Sequence, residues 1–137
     1  KYGFSRGDEV LKMLGRLILN IVKQRQSQKS LVGHIGGDDF VFIVESTLAE
    51  EIAGEIIEHL EQIIPTFYDP EDRERGAILA RDRRGRERTF PLISLSIGVT
   101  DNRIKKFTHY GQMAEVVSEL KKYAKTVQGS CYRFDRR

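Results

Sequence analysis

A chain of 137 residues, 39% hydrophobic and 31% charged, has the size of one globular domain and enough apolar residues for a core without staples. A single cysteine, Cys131, excludes an internal disulfide framework and fits a reducing compartment, and no apolar run nears the ~20 residues of a membrane helix. The net charge of +3, from 23 basic and 20 acidic side chains, gives only weak electrostatic steering. The sequence opens on Lys1 rather than Met, with no charged-then-apolar leader, and so reads as a fragment.

Ser5-Arg6-Gly7-Asp8 has the S-x-x-D form of a capping box. Val10, Leu14, Leu17, Ile18 and Ile21 then recur at helical spacing, which predicts an amphipathic helix from residue 8 to about 25. Leu31 to Ile35 and Phe40 to Val44 are β-prone runs around Gly36-Gly37-Asp38-Asp39, a hairpin with a glycine-rich tip. The second run is apolar throughout, as expected of a strand buried on both faces. Thr47-Leu48-Ala49-Glu50 repeats the capping-box pattern before a helix with Ile52, Ile56, Ile57, Leu60, Ile63 and Ile64 on its buried side, stopped by Pro65.

From Thr66 to Glu74 a loop is expected, with Asp69-Pro70 as its turn signal. Ala77 to Ala80 and Glu87 to Phe90 read as the arms of a small hairpin about Arg84-Gly85. Arg73, Arg75, Arg81, Arg83, Arg84, Arg86 and Arg88 crowd this stretch, interleaved with Glu71, Asp72, Glu74, Asp82 and Glu87. A nucleic-acid surface usually lacks such a neutralising set, so a solvated, salt-bridged hairpin is the simpler reading and no nucleic-acid partner is expected. Leu92 to Thr100 alternates, with Ile93, Leu95, Ile97 and Val99 on one face. Ser94, Ser96 and Gly98 make a small-residue face that either packs closely or receives a ligand. Gln112 to Val127 reads as a third helix carrying Met113, Val116, Val117, Leu120 and Ala124, ended by Gly129, and Cys131 to Phe134 as a last edge strand. The order α-β-β-α-(ββ)-β-α-β describes an α/β (α+β) sandwich, helices covering a mostly antiparallel central sheet. One domain spans 1–137.

His34-Ile35-Gly36-Gly37-Asp38-Asp39-Phe40 is the stretch that could carry chemistry. Two glycines permit a tight turn and leave room for a bulky anion, and carboxylate oxygens suit Mg²⁺. Strand alternation would aim the two acids to opposite faces. On composition alone an ordinary turn is the simpler reading, because Gly and Asp are common turn residues.

The wider pattern changes that. Gly36-Gly37-Asp38-Asp39-Phe40 between hydrophobic strands resembles the signature of the GGDEF family of diguanylate cyclases. Tyr2-Gly3-Phe4-Ser5-Arg6-Gly7-Asp8-Glu9-Val10-Leu11 is similar to that family's Y-G-H-x-x-G-D-x-x-L helix start, and Leu95-Ser96-Ile97-Gly98-Val99 to its S-x-G-I/V strand. Leu120 to Lys125 resembles its last helix, ending in Ala-Lys before a glycine. The likeness covers nearly the whole chain except the insertion at 66–90. It implies a nucleotide-cyclase, ferredoxin-like sandwich and a cytoplasmic bacterial signalling domain. The implied reaction joins two GTP molecules into cyclic di-GMP with loss of two pyrophosphates, in a homodimer that presents one GTP on each domain. Mg²⁺ or Mn²⁺ would neutralise the developing charge. By position, Asp38 would be the metal-binding carboxylate and candidate base, with Asp39 catalytic beside it where the family most often has Glu. Gly36 and Gly37 would give the nucleotide room, Asp8 would accept hydrogen bonds from the guanine edge, and Lys125 would reach the terminal phosphates. An upstream sensory or receiver domain is the implied partner.

Each of these residues also has a plainer reading. Asp8 is favoured in any first helical turn, and Lys121 with Lys125 is an i, i+4 pair of a solvated face. His34 stands where the family commonly has Arg and reads as a satisfied or surface histidine rather than a catalytic one; His59 and His109 have no partners at metal-ligand spacing. Cys131 is most simply a small packing residue. Three departures bear on activity. The family's first strand, with a second metal-binding Asp, a Phe-Lys phosphate loop and a guanine-binding Asn, would precede Lys1. Ser130 replaces an Arg after the final glycine. Ser27-Gln28-Lys29-Ser30 replaces the R-x-x-D feedback set, so product inhibition there is not expected. Two readings result: a cyclase domain with an incomplete site, inactive or weak in this form, or a degenerate module acting as a regulatory or dimerisation domain.

Overall fold

The structure, a computed structural model, describes residues 3–102, 109–127 and 129–135. Tyr2, which opens the helix-start motif, lies outside them. Helix α1 spans Gly3–Arg25 and buries Val10, Leu14, Ile18, Ile21 and Val22, residues three or four apart on one stripe. It starts at Gly3, so Ser5 and Asp8 lie inside it and are not the expected cap; Asp8 is in the second turn. The S-x-x-D spacing of a cap is also the i, i+3 spacing of two residues on one helix face, which explains the misreading.

Helix α2, Ser46–Ile63, packs on α1 and buries Ala49, Ile52, Ala53, Ile56 and Leu60. The second capping box is not used either. Glu45 holds the N-cap position without a side-chain cap, and its carbonyl accepts the Leu48 N–H at 3.0 Å. Pro65 ends α2 as expected, inside a 3-10 turn over Ile64–Phe67. The α1–α2 layer is the core of the molecule, with Val22, Ile52 and Ile56 wholly enclosed.

The α+β class expected from the sequence is observed. Its strands, however, form three two-stranded sheets among the described residues instead of one central sheet. β1 (Leu31–Gly36) pairs antiparallel with β2 (Asp39–Ile43), and β3 (Ala77–Arg81) antiparallel with β4 (Glu87–Pro91). β5 (Ser96–Val99) and β6 (Cys131–Phe134) are parallel, joined by a crossover that contains helix α4 (Tyr110–Ala124). Strand β2 is half-buried, not buried on both faces. Alternation sends Phe40 and Phe42 to the α1–α2 core and leaves Ile43 48% exposed.

The stretch from residue 66 to 90 holds more structure than the expected loop and hairpin. A short helix α3, Pro70–Arg75, begins with proline in its first turn and ends at Gly76 in the left-handed conformation (φ 74°). Asp-Pro is a helix-start pair as readily as a turn signal. Asp72 is fully buried and ion-paired with Arg75 at 3.0 Å, while Arg73 donates to the carbonyls of Pro65 and Tyr68 at 2.9 and 3.0 Å. The hairpin beyond is salt-bridged as expected. The Asp82 carboxylate accepts the N–H groups of Arg84 and Arg86 and the Arg88 guanidinium, each at 2.9 Å.

Strand β5 begins at Ser96, four residues later than the alternation suggests. The Ile93 N–H donates to the Tyr68 hydroxyl and the Leu95 N–H to Ser130 Oγ, each at 2.9 Å, so side chains take the donors that a ladder would need. The small-residue face does pack closely. A Cβ on Gly98 would stand 2.6 Å from the Val117 carbonyl oxygen, so α4, not a ligand, lies against it.

Candidate functional site

The β1–β2 turn is built by its glycines. Gly36 (φ 144°) and Gly37 (φ 55°) hold backbone conformations that side chains disfavour, and a Cβ at either would meet nothing within 4 Å. Their need is conformational, and the turn stands open to solvent. His34 closes it from below. Its Nε2 lies 2.8 Å from the Gly37 carbonyl oxygen, and its ring stacks on Phe40 with centroids 4.4 Å and planes 11° apart. The histidine is thus both at the surface and satisfied, as expected, and it braces the signature turn.

Asp38 occupies the turn itself and is exposed. Asp39 opens β2 opposite Gly36, and its Oδ1 accepts a hydrogen bond from the Lys121 ammonium on α4. That bond and the Lys121 charge hold the Asp39 carboxyl below its ordinary value, against a smaller opposing effect of desolvation. Lys125 and His34 add weaker positive fields. Lys125 caps the C-terminal end of α4 and is exposed, one turn beyond Lys121. The i, i+4 lysine pair is thus not a uniformly solvated face: Lys121 is engaged and Lys125 is the outward member.

Asp8 lies elsewhere. It lines an open groove of about 680 Å³ between α1 and the hairpin, together with Lys12, Arg16, Gly33, His34 and Phe40. Neither Asp38 nor Asp39 lines that groove. Gly15 lets the hairpin come close, since a Cβ there would sit 3.3 Å from the Phe40 ring. The fold therefore brings Lys121 and Lys125 near Asp39, and places Asp8 in a separate groove that His34 and Phe40 also line.

A divalent cation does not fit the described residues on their own. No three of His, Cys, Asp or Glu converge among them, and the carboxylate of Asp39 is already neutralised by an amine. His59 instead sets Nδ1 2.9 Å from the Glu55 carbonyl oxygen, and Cys131 Sγ donates to the Ala124 carbonyl at 3.3 Å. No helix among the described residues is long and apolar enough to cross a membrane.

Lys121, as the partner of Asp39, is the site residue that the sequence reading missed. Lys121 had one legible signal. It falls between Val117 and Ala124 at helical spacing, on the apolar side of α4, where a lysine lays its stem along the packed face and delivers its head group to the edge of it.

Searches of curated proteins and of solved structures each returned no match. The family model described as "Diguanylate cyclase, GGDEF domain" matches residues 1–78, which carry α1, the β1–β2 hairpin, α2 and α3 and end within β3. A match over more than half of the chain, with the Gly36-Gly37-Asp38-Asp39-Phe40 hairpin at its middle, makes this protein a member of the GGDEF family, a diguanylate cyclase-like domain.

Proposed function

We propose that this chain is a GGDEF signalling module that takes the base of a guanine nucleotide into the α1–hairpin groove and, in this form, makes no cyclic di-GMP. The observation that carries the reading is the engagement of Asp39 by Lys121, which withdraws one of the two signature acids from metal and nucleotide. The groove supports the binding half. Its volume of about 680 Å³ suits a nucleotide base and sugar, Asp8 can accept hydrogen bonds from the guanine edge, and the His34–Phe40 stack forms one wall. Such a module acts as a regulatory or dimerisation domain, controlled by a sensory or receiver domain and paired with a second copy. Mg²⁺ or Mn²⁺ would arrive with the phosphates of GTP, which the exposed Lys125 would reach.

Amide NMR during titration with GTP tests the binding half. Shifts should gather on the first half of α1 and on Gly33, His34 and Phe40. Asp8→Ala should weaken binding at least about tenfold, the worth of a charge-assisted hydrogen bond. Scattered shifts, or equal affinity in the variant, would refute it.

A competent cyclase is the second reading, favoured by one observation. β2 and β5 each pair with a single described strand, so each keeps one edge open to a further strand that would join the sheets. Product analysis separates the two.

A further inference from the structure

The signature turn and α4 belong to different parts of the fold. The hairpin packs with α1, whereas α4 packs on β5 and β6. A polar contact joins them, between residues 82 positions apart: the Lys121 ammonium on the Asp39 carboxylate. Lys121 is not a loose surface side chain that found an acid. Its backbone nitrogen would lie 3.0 Å from a Cβ on Gly98, so that turn of α4 is seated directly on β5. Val117 precedes it by one turn and is half-buried, and Ala124 follows at i+3 and is fully buried, so its stem runs along the packed side of the helix. The side chain is 31% exposed, and its head emerges at the turn.

We propose that Lys121 is the resident counter-cation of Asp39: its ammonium fastens the signature turn to α4, and a divalent ion gains this carboxylate only by displacing it. The proposal rests on the functional reading only in placing Asp39 at the functional turn. An ammonium is a compact point charge, like the metal ion it replaces. It differs in being covalently tethered, so it stands beside the carboxylate whether or not metal is present. A metal ion approaching Asp39 meets both competition for the oxygen and repulsion from a positive charge a few ångströms away. At a partly exposed site these together are worth on the order of tenfold in affinity.

Mn²⁺ binding to the protein without nucleotide, followed by the loss of the free-ion EPR signal, tests this. Lys121→Met keeps the apolar stem and removes the charge, and Lys121→Gln gives the same comparison should the Met variant not fold. The expected result is a gain of about tenfold in Mn²⁺ affinity over the parent, lost again in Lys121→Met/Asp39→Asn. Lys121→Arg, which restores the charge, should bind Mn²⁺ as weakly as the parent. No gain in the neutral variants, a gain that survives Asp39→Asn, or an arginine variant that binds like Lys121→Met would each overturn the proposal. Because no GTP is present, these outcomes are independent of whether the α1 groove binds a nucleotide.

Discussion

Gly98→Ala should drive α4 off β5, and the size of the effect can be worked from three contacts. The new Cβ would stand 2.6 Å from the Val117 carbonyl oxygen and 3.0 Å from both Leu120 Cβ and the Lys121 backbone nitrogen. Two of these neighbours are backbone atoms and the third is a Cβ, so no rotamer change can relieve the clash. Reaching ordinary contact at 3.4 Å requires the helix to retreat by about 0.8 Å, while β6 also holds α4 in place. Overpacking of this kind costs about 1–3 kcal/mol, and a contact against rigid backbone belongs in the upper half of that range. For a domain of this size the midpoint of thermal unfolding should fall by roughly 6–12 °C. Urea unfolding followed by circular dichroism gives the free energy directly, with an unchanged m value as the sign that both states keep their compactness. Gly7→Ala is the matched control. Its Cβ meets nothing within 4 Å on α1, so helix propensity alone should stabilise the protein by about 0.5–1 kcal/mol. A Gly98→Ala variant as stable as the parent would refute the close seating of α4, and with it the placement of Lys121.

Two further outcomes follow from the same structure. Ile56→Ala, in a side chain with no exposed surface on α2, should cost about 2–5 kcal/mol in urea unfolding, whereas Ile43→Ala, 48% exposed on β2, should cost under about 1 kcal/mol; equal losses would contradict the location of the core. The Asp39 carboxyl is held below its ordinary value, mainly by the Lys121 hydrogen bond and then by its charge. A depressed folded-state value means that the contribution to stability is fully present above the unfolded value of about 4 and is lost as pH falls through the folded value. Carboxyl-carbon NMR should therefore show the Asp39 titration midpoint rise in Lys121→Met, and an unmoved midpoint would rule out the ion pair in solution.

How far the fold could be read in advance depended on whether the controlling interaction was local. Helix α2 was legible because Ile52, Ile56 and Leu60 repeat at helical spacing and Pro65 cannot continue the ladder. The β1–β2 hairpin was legible because only glycine holds the conformations of positions 36 and 37 at low cost. Local signals failed where two structures share one pattern. Ser5 with Asp8 looks like a cap and lies inside α1, and Asp69-Pro70 looks like a turn and starts α3. Alternation holds over Leu95, Ile97 and Val99 but fails at Ile93, which is 47% exposed: the Tyr68 hydroxyl, 25 residues away from Ile93, and Ser130 Oγ, 35 from Leu95, capture the backbone donors that would have lengthened β5.

The candidate site divides in the same way. The glycines and acids of the signature were visible as a motif, and the family match over residues 1–78 includes them. The partner of Asp39 was not visible, because Lys121 reaches the turn through the seating of α4 on Gly98, a tertiary fact that no window of neighbouring residues contains. That partner changes the chemical reading. A carboxylate bound by a tethered ammonium is a structural link first, and it serves as a metal ligand only after the link is broken.

With Asp39 engaged by Lys121, this GGDEF module should make no cyclic di-GMP on its own. Incubation with GTP and Mg²⁺, followed by chromatographic separation of the nucleotides, tests it most directly. GTP should remain intact with no cyclic di-GMP peak; cyclic di-GMP that accumulates with the parent chain and disappears with Asp38→Ala would overturn this reading.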